Sequence, residues 1–202
     1  NSAFLDAFNL IGGQVQVGNL SKESIQGDKV YTEMFRKLES GCPVLDISDC
    51  PDLAPVLFAM AGVMNGATFK GTKRLKIKES DRGAAMKEEL EKVGVKIDVL
   101  DNKVVIHKSI IHEPQESFNS HNDHRISMAL SLLSTRFDIM IQNADVVKKS
   151  YPSYFKDLES VSNRVKRITG EESKIIRFPG GSSNTISRKY SSGIMSKLTS
   201  EV

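Results

Sequence analysis

The sequence predicts an α/β (α+β) fold built by repetition, on three observations. Apolar helix patterns alternate with short strand patterns along the chain. One order of elements recurs: an apolar helix, a turn, a strand, an irregular loop and a second helix. A length of 202 residues, 39% hydrophobic, 26% charged and 6% aromatic, suffices for a packed core and excludes a disordered or collagen-like chain.

The elements follow in order. Ser2 to Ile11 has apolar residues at 4, 5, 7, 8, 10 and 11, the pattern of a mostly buried helix, and Gly12-Gly13 ends it. Gln14 to Val17 alternates like a half-buried strand. Asp28 opens a helix with Val30, Met34, Phe35 and Leu38 on one face, stopped near Gly41. Pro43 to Ile47 is a short strand. Asp52 is placed to N-cap the apolar helix Leu53 to Met64, which Asn65-Gly66 terminates. Thr68 to Lys70 reads as a strand, and Asp81 opens a helix that ends at Gly94. Val95 to Val99 and Lys103 to His107 form a hairpin around Asp101-Asn102. Asp123 opens an apolar helix to about Leu133, Asp138 to Gln142 is a strand, and Pro152 sits at the first turn of the helix Tyr154 to Val161.

Stacked, the three copies have strands beginning at Gln14, Ala67 and Ile139, with second helices 14, 14 and 13 residues later. The apolar helices that start at Asp52 and Asp123 precede their strands by 15 and 16 residues. Residues 1–161 thus read as one repeated lobe. Residues 162–202, rich in Ser, Lys, Arg and Gly, read as a disordered tail with room for one strand at Lys174 to Phe178.

Several functions are excluded or disfavoured. Net charge is only +3 and no dense Lys/Arg block occurs, so nucleic acid is not an expected partner. No apolar run reaches the roughly 18–20 residues of a membrane span. Cys42 and Cys50 make neither a disulfide framework nor a metal-binding pair, which points to a reducing cytoplasm.

Four constellations can carry chemistry. Lys76-Ile77-Lys78-Glu79-Ser80-Asp81-Arg82 places cations and a carboxylate around a helix start. It is either an anion site or an ordinary charged, capped helix start. Asn122-Asp123-His124-Arg125 puts Arg125 in a first helical turn, where a cation opposes the helix dipole. Either an anionic ligand lies nearby, or Arg125 pairs with Asp123 or solvent. His124 reads as structural. Asp52, in Asp49-Cys50-Pro51-Asp52, is a cap or a general base at a pocket rim. Lys148-Lys149-Ser150-Tyr151-Pro152 is the third-copy counterpart of the Lys78 loop. If the copies pack around a pseudo-threefold axis, Lys78, Arg82, Arg125 and Lys149 gather with Asp52 and Glu79 on one electropositive concave face suited to a multiply anionic small molecule.

At these residues the chain resembles the 5-enolpyruvylshikimate-3-phosphate synthase family. The shared strings are Gln26-Gly27-Asp28, Pro51-Asp52-Leu53-Ala54, Leu75 to Arg82, Asn122 to Arg125 and Lys149-Ser150-Tyr151-Pro152, over about residues 1–160. The resemblance implies an enolpyruvyl transferase lobe of βαβαββ units around a pseudo-threefold axis, truncated at its N-terminus. It implies transfer of enolpyruvyl from phosphoenolpyruvate to the 5-hydroxyl of shikimate 3-phosphate, with no metal and no organic cofactor. By motif, Asp52 resembles the base that handles the shikimate hydroxyls, Glu79 an acid–base residue and Lys78 a shikimate 3-phosphate ligand. Arg82, Arg125 and Lys149 resemble phosphoenolpyruvate ligands. Family chains are roughly double in length, and their other lobe, with its own substrate motifs, has no counterpart here. The expectation is therefore the C-terminal lobe with half a site, inactive without the missing N-terminal lobe. UDP-N-acetylglucosamine enolpyruvyl transferase, which shares the fold, and a non-catalytic binding or assembly module that retains it are the alternatives.

Overall fold

A computed structural model describes residues 2–12, 27–161, 166–167 and 176–178. Helix α1 (Ser2–Leu10) buries Ala3, Phe4, Ala7 and Phe8, one stripe at i, i+3/i+4 spacing. A 3-10 turn at Gly27–Val30 leads into α2 (Tyr31–Ser40). Strand β1 (Val44–Asp46) follows, then a 3-10 turn at Pro51–Leu53 that runs into α3 (Ala54–Val63), buried from Ala54 to Gly62. Next come β2 (Ala67–Lys70), a 3-10 segment Thr72–Ile77, α4 (Arg82–Glu91), β3 (Ile97–Val99) and β4 (Lys103–Ile106). The third stretch holds β5 (Phe118–Asn119), α5 (His124–Leu130), a 3-10 turn Ser131–Thr135, β6 (Ile139–Gln142), a 3-10 segment Ala144–Lys149 and α6 (Tyr154–Val161). It ends with β7 (Lys166–Arg167) and β8 (Ile176–Phe178).

The repeat is explicit in the sheets. One has the order β1-β2-β4-β3 and the other β5-β6-β8-β7. In each, the first pair is parallel and the other two are antiparallel. Both halves are therefore βαβαββ units, and α1 with α2 supplies the helix pair of a further copy. Helix α3 is apolar on every side and α5 is buried along most of its length because they pack together at the centre, with α1, α2 and α4 around them.

Local geometry repeats as well. The residue before each 3-10 segment is left-handed: Gly71 at φ 76° and Asn143 at φ 54°. Gly71 admits no side chain, since a Cβ would fall 2.0 Å from Ser48 Oγ. The strand exits also match. Ile47 N donates to Lys70 O as Ser120 N donates to Gln142 O, and Cys50 N donates to Ile47 O as Asp123 N donates to Ser120 O. Two residues further on stand Asp52 in one copy and Arg125 in the other.

Most expected elements are present, with four differences. The helix expected to reach Leu133 changes to 3-10 geometry at Ser131. Asp52 caps nothing; it lies inside the Pro51–Leu53 turn, whose preceding residue is Cys50. Strands β5 and β7 carry too few residues to show a period. Strand β7 was not expected, whereas β8 falls within the strand expected at Lys174 to Phe178 and pairs with β6 and β7 in the second sheet. The strand expected at Gln14 to Val17 and most of the expected tail lie outside the described residues.

Candidate active site

The site lies where α3, α4 and α5 begin. Asp81 N-caps α4 by accepting from Ala84 N at 3.1 Å, and Asp123 caps α5 by accepting from Arg125 N at 2.9 Å. These caps place Arg82 and Arg125 at the head of their helices, facing the Asp52 turn.

Arg82 is the centre of the cluster. Its side chain is 0% exposed, and Nε donates to Asp123 Oδ2 at 2.8 Å, Nη1 to Asp52 Oδ1 at 2.7 Å and Nη2 to Glu79 Oε2 at 2.7 Å. Asp123 is equally buried and also accepts from Ser80 Oγ at 3.2 Å. Asp52 in turn receives every cation nearby. Besides Arg82, Lys78 Nζ reaches its Oδ1 at 3.1 Å and Arg125 Nη2 its Oδ2 at 3.2 Å, while Arg125 Nη1 donates to its main-chain oxygen at 3.1 Å. The repeat thus puts unlike charges at equivalent positions, 52 and 125, and joins them. Arg125 Nη1 also lies 3.9 Å from Asp28.

The electrostatics follow from this geometry. Burial acts to raise the Asp52 pKa, but the Arg82 hydrogen bond, the Arg125 charge and the Lys78 hydrogen bond outweigh it and hold the group at about 2. Burial also opposes the charges on Arg82 and Asp123, yet their mutual hydrogen bond and attraction raise the Arg82 pKa and lower that of Asp123. Burial lowers the His124 pKa. Its Nδ1 has no hydrogen-bond partner among the described residues.

Asp52, Lys78, Glu79, Arg82 and Arg125 therefore meet on one face. Lys149 stands at the rim, where its Nζ donates to Asn122 O at 3.4 Å. The expected electropositive surface is not what forms, however. Lys78, Arg82 and Arg125 face Asp52, Glu79 and Asp123, so the cluster is balanced. The gathering of these cations with Asp52 and Glu79 was legible in the sequence, but the burial of Arg82 against Asp123 was not. The first-turn placement of Arg125 is likewise answered within the fold, by Asp52.

Sequence reasoning missed one supporting group. Glu89, 0% exposed on α4, binds His121 Nε2 at 2.7 Å, Lys92 Nζ at 2.8 Å and Asn119 N at 2.8 Å. It thereby holds the turn before Asp123, in which His121 (φ 49°) and Asn122 (φ 56°) are both left-handed. A buried carboxylate one helix away leaves no sequence signal beyond the Glu itself.

Comparison with known proteins points the same way. Residues 1–158 match the family described as EPSP synthase (3-phosphoshikimate 1-carboxyvinyltransferase). The 3-phosphoshikimate 1-carboxyvinyltransferase of Clostridium novyi (strain NT) is 34% identical over 178 residues, covering 79% of this chain and 41% of its own length. That of Clostridium acetobutylicum is 33% identical over 181 residues, covering 81% and 42%. The chain thus spans about two-fifths of the length of these curated relatives. The solved EPSP synthase of Acinetobacter baumannii is similar over 57% of this chain and 28% of its own, at a TM-score of 0.51 and 25% identity.

Proposed function

Because the chain belongs to the EPSP synthase (3-phosphoshikimate 1-carboxyvinyltransferase) family, we propose that it supplies the C-terminal lobe, with half the active site, for enolpyruvyl transfer. The donor is phosphoenolpyruvate, the acceptor is the 5-hydroxyl of shikimate 3-phosphate, and phosphate is released in the cytosol. The observation that carries this reading is the convergence of Lys78, Arg82 and Arg125 on the single carboxylate of Asp52 at the meeting point of three helices.

In this reading Lys78 holds shikimate 3-phosphate, and Arg125 and Lys149 hold the phosphate and carboxylate of phosphoenolpyruvate from the rim. Arg82 is the third cation of that set, reachable once a carboxylate releases it. Fixed guanidinium and ammonium donors stabilise charge that shifts during the transfer. Asp52 takes the proton of the attacking hydroxyl, and Glu79, on the exposed side of Arg82, exchanges protons with the reacting carbons. The other lobe completes the substrate contacts and excludes water on closure. The saturation of Arg82 by Asp52, Glu79 and Asp123 favours a second reading, a binding or assembly module without turnover.

Phosphate release from phosphoenolpyruvate plus shikimate 3-phosphate separates the two. The chain alone should give none, and the chain mixed with the complementary part of a clostridial relative should turn over. Robust turnover by the purified chain alone would refute the half-site, whereas ligand binding with no turnover in the mixture would favour the module.

A further inference from the structure

Three cationic side chains from two repeats converge on one carboxylate, an arrangement that resembles an occupied anion site whose occupant belongs to the protein. Asp52 Oδ1 takes hydrogen bonds from Arg82 and Lys78, and Oδ2 takes one from Arg125. Its side chain is 34% exposed, and those of Lys78 and Arg125 are 23% and 18% exposed, so all three are partly open to solvent. An incoming phosphate or carboxylate needs the same donors. It cannot share them fully, because two anions at that range repel strongly in a half-buried setting.

Resting on the functional reading above, we propose that Asp52 is a built-in stand-in for the substrate anion: it holds Lys78 and Arg125 in the empty protein and is displaced from them when phosphate or phosphoenolpyruvate binds. Two consequences follow from the geometry. In the empty state the cations are kept in register without repelling one another. In the bound state Asp52 loses two of its three cationic partners and becomes a stronger base, so base strength arrives together with the substrate. Its depressed pKa in the empty protein is consistent with this order of events.

The test is titration of the 202-residue chain with inorganic phosphate, then phosphoenolpyruvate, by calorimetry and NMR. Asp52→Asn should bind phosphate about tenfold more tightly than wild type, as expected for removal of one screened competing charge. Asp101→Asn, which removes an equal charge from an exposed pair with Lys76, should stay within about twofold. In the wild-type chain the Asp52 carboxylate 13C signal and the Arg125 side-chain 15N signals should shift along one saturation curve. That measurement stands even if Asp52→Asn does not fold. Unchanged or weaker phosphate binding by Asp52→Asn, or an Asp52 signal that stays still at saturation, overturns the proposal while leaving the site intact. Failure of every form of the chain to bind either anion overturns the proposal and the active-site reading together.

Discussion

Replacement of Arg82 by alanine distinguishes a surface anion ligand from a structural keystone. An exposed cation at a helix start, crowded by other cations, would cost the fold nothing when removed, and its loss would even relieve a few tenths of a kcal/mol of unfavourable dipole interaction. The structure gives the opposite sign. Arg82 and Asp123 are both 0% exposed and joined at 2.8 Å. Without the guanidinium, Asp52 keeps Lys78 and Arg125, and Glu79 turns to solvent, but Asp123 remains buried with only Ser80 Oγ and the Arg125 amide. Breaking one side of a buried pair costs about 3–5 kcal/mol. For a domain of this size that lowers the thermal midpoint by about 10 °C. Arg82→Ala should therefore unfold well below wild type in a thermal melt or urea titration. Adding Asp123→Asn, which keeps the cap and removes the orphaned charge, should recover part of the loss. A midpoint at or above wild type for Arg82→Ala would show that the buried cluster does not hold the lobe together.

Other outcomes follow from the same geometry. Asp52 is held at about 2 against an ordinary 3.8, so its ion pairs favour the folded state fully above about pH 4 and lose that contribution as pH falls towards 2. The thermal midpoint should drop through that window, and less so in Asp52→Asn. Gly71→Ala would set a Cβ 2.7 Å from Ser48 N in a left-handed turn, so urea titration should show a loss of about 1–3 kcal/mol. Glu89→Ala removes the acceptor of Asn119 N–H, and that amide should exchange with solvent about tenfold faster by NMR, with no such change at Ala84 on the far end of α4.

Much of the helical framework was legible because its residues report on themselves. The apolar runs in α3 and α5 and the caps Asp81 and Asp123 are local signals, and the recurrence of element order exposed the repeat before any strand pairing was known. What was hidden depends on residues distant in sequence. Asp52 has the look of an N-cap, yet the turn at Pro51–Leu53 carries it past that position and into the reach of Arg82, Lys78 and Arg125. The burial of Arg82 was hidden because Asp123, its fully buried partner, lies 41 positions away. Strand β7 has two residues and no period to detect, and compositional bias across 162–202 outweighed it.

Helix α4 acts as a strut bolted at both ends. Its first residue, Arg82, grips Asp123, and Glu89, two turns and about 10 Å along the axis, grips Asn119 and His121. A member fixed at one point can pivot, whereas one fixed at two cannot. The turn that carries Asp123 and Arg125 is thus fastened to the neighbouring repeat as a rigid joint. Any motion of this region must hinge elsewhere and carry this joint as one piece.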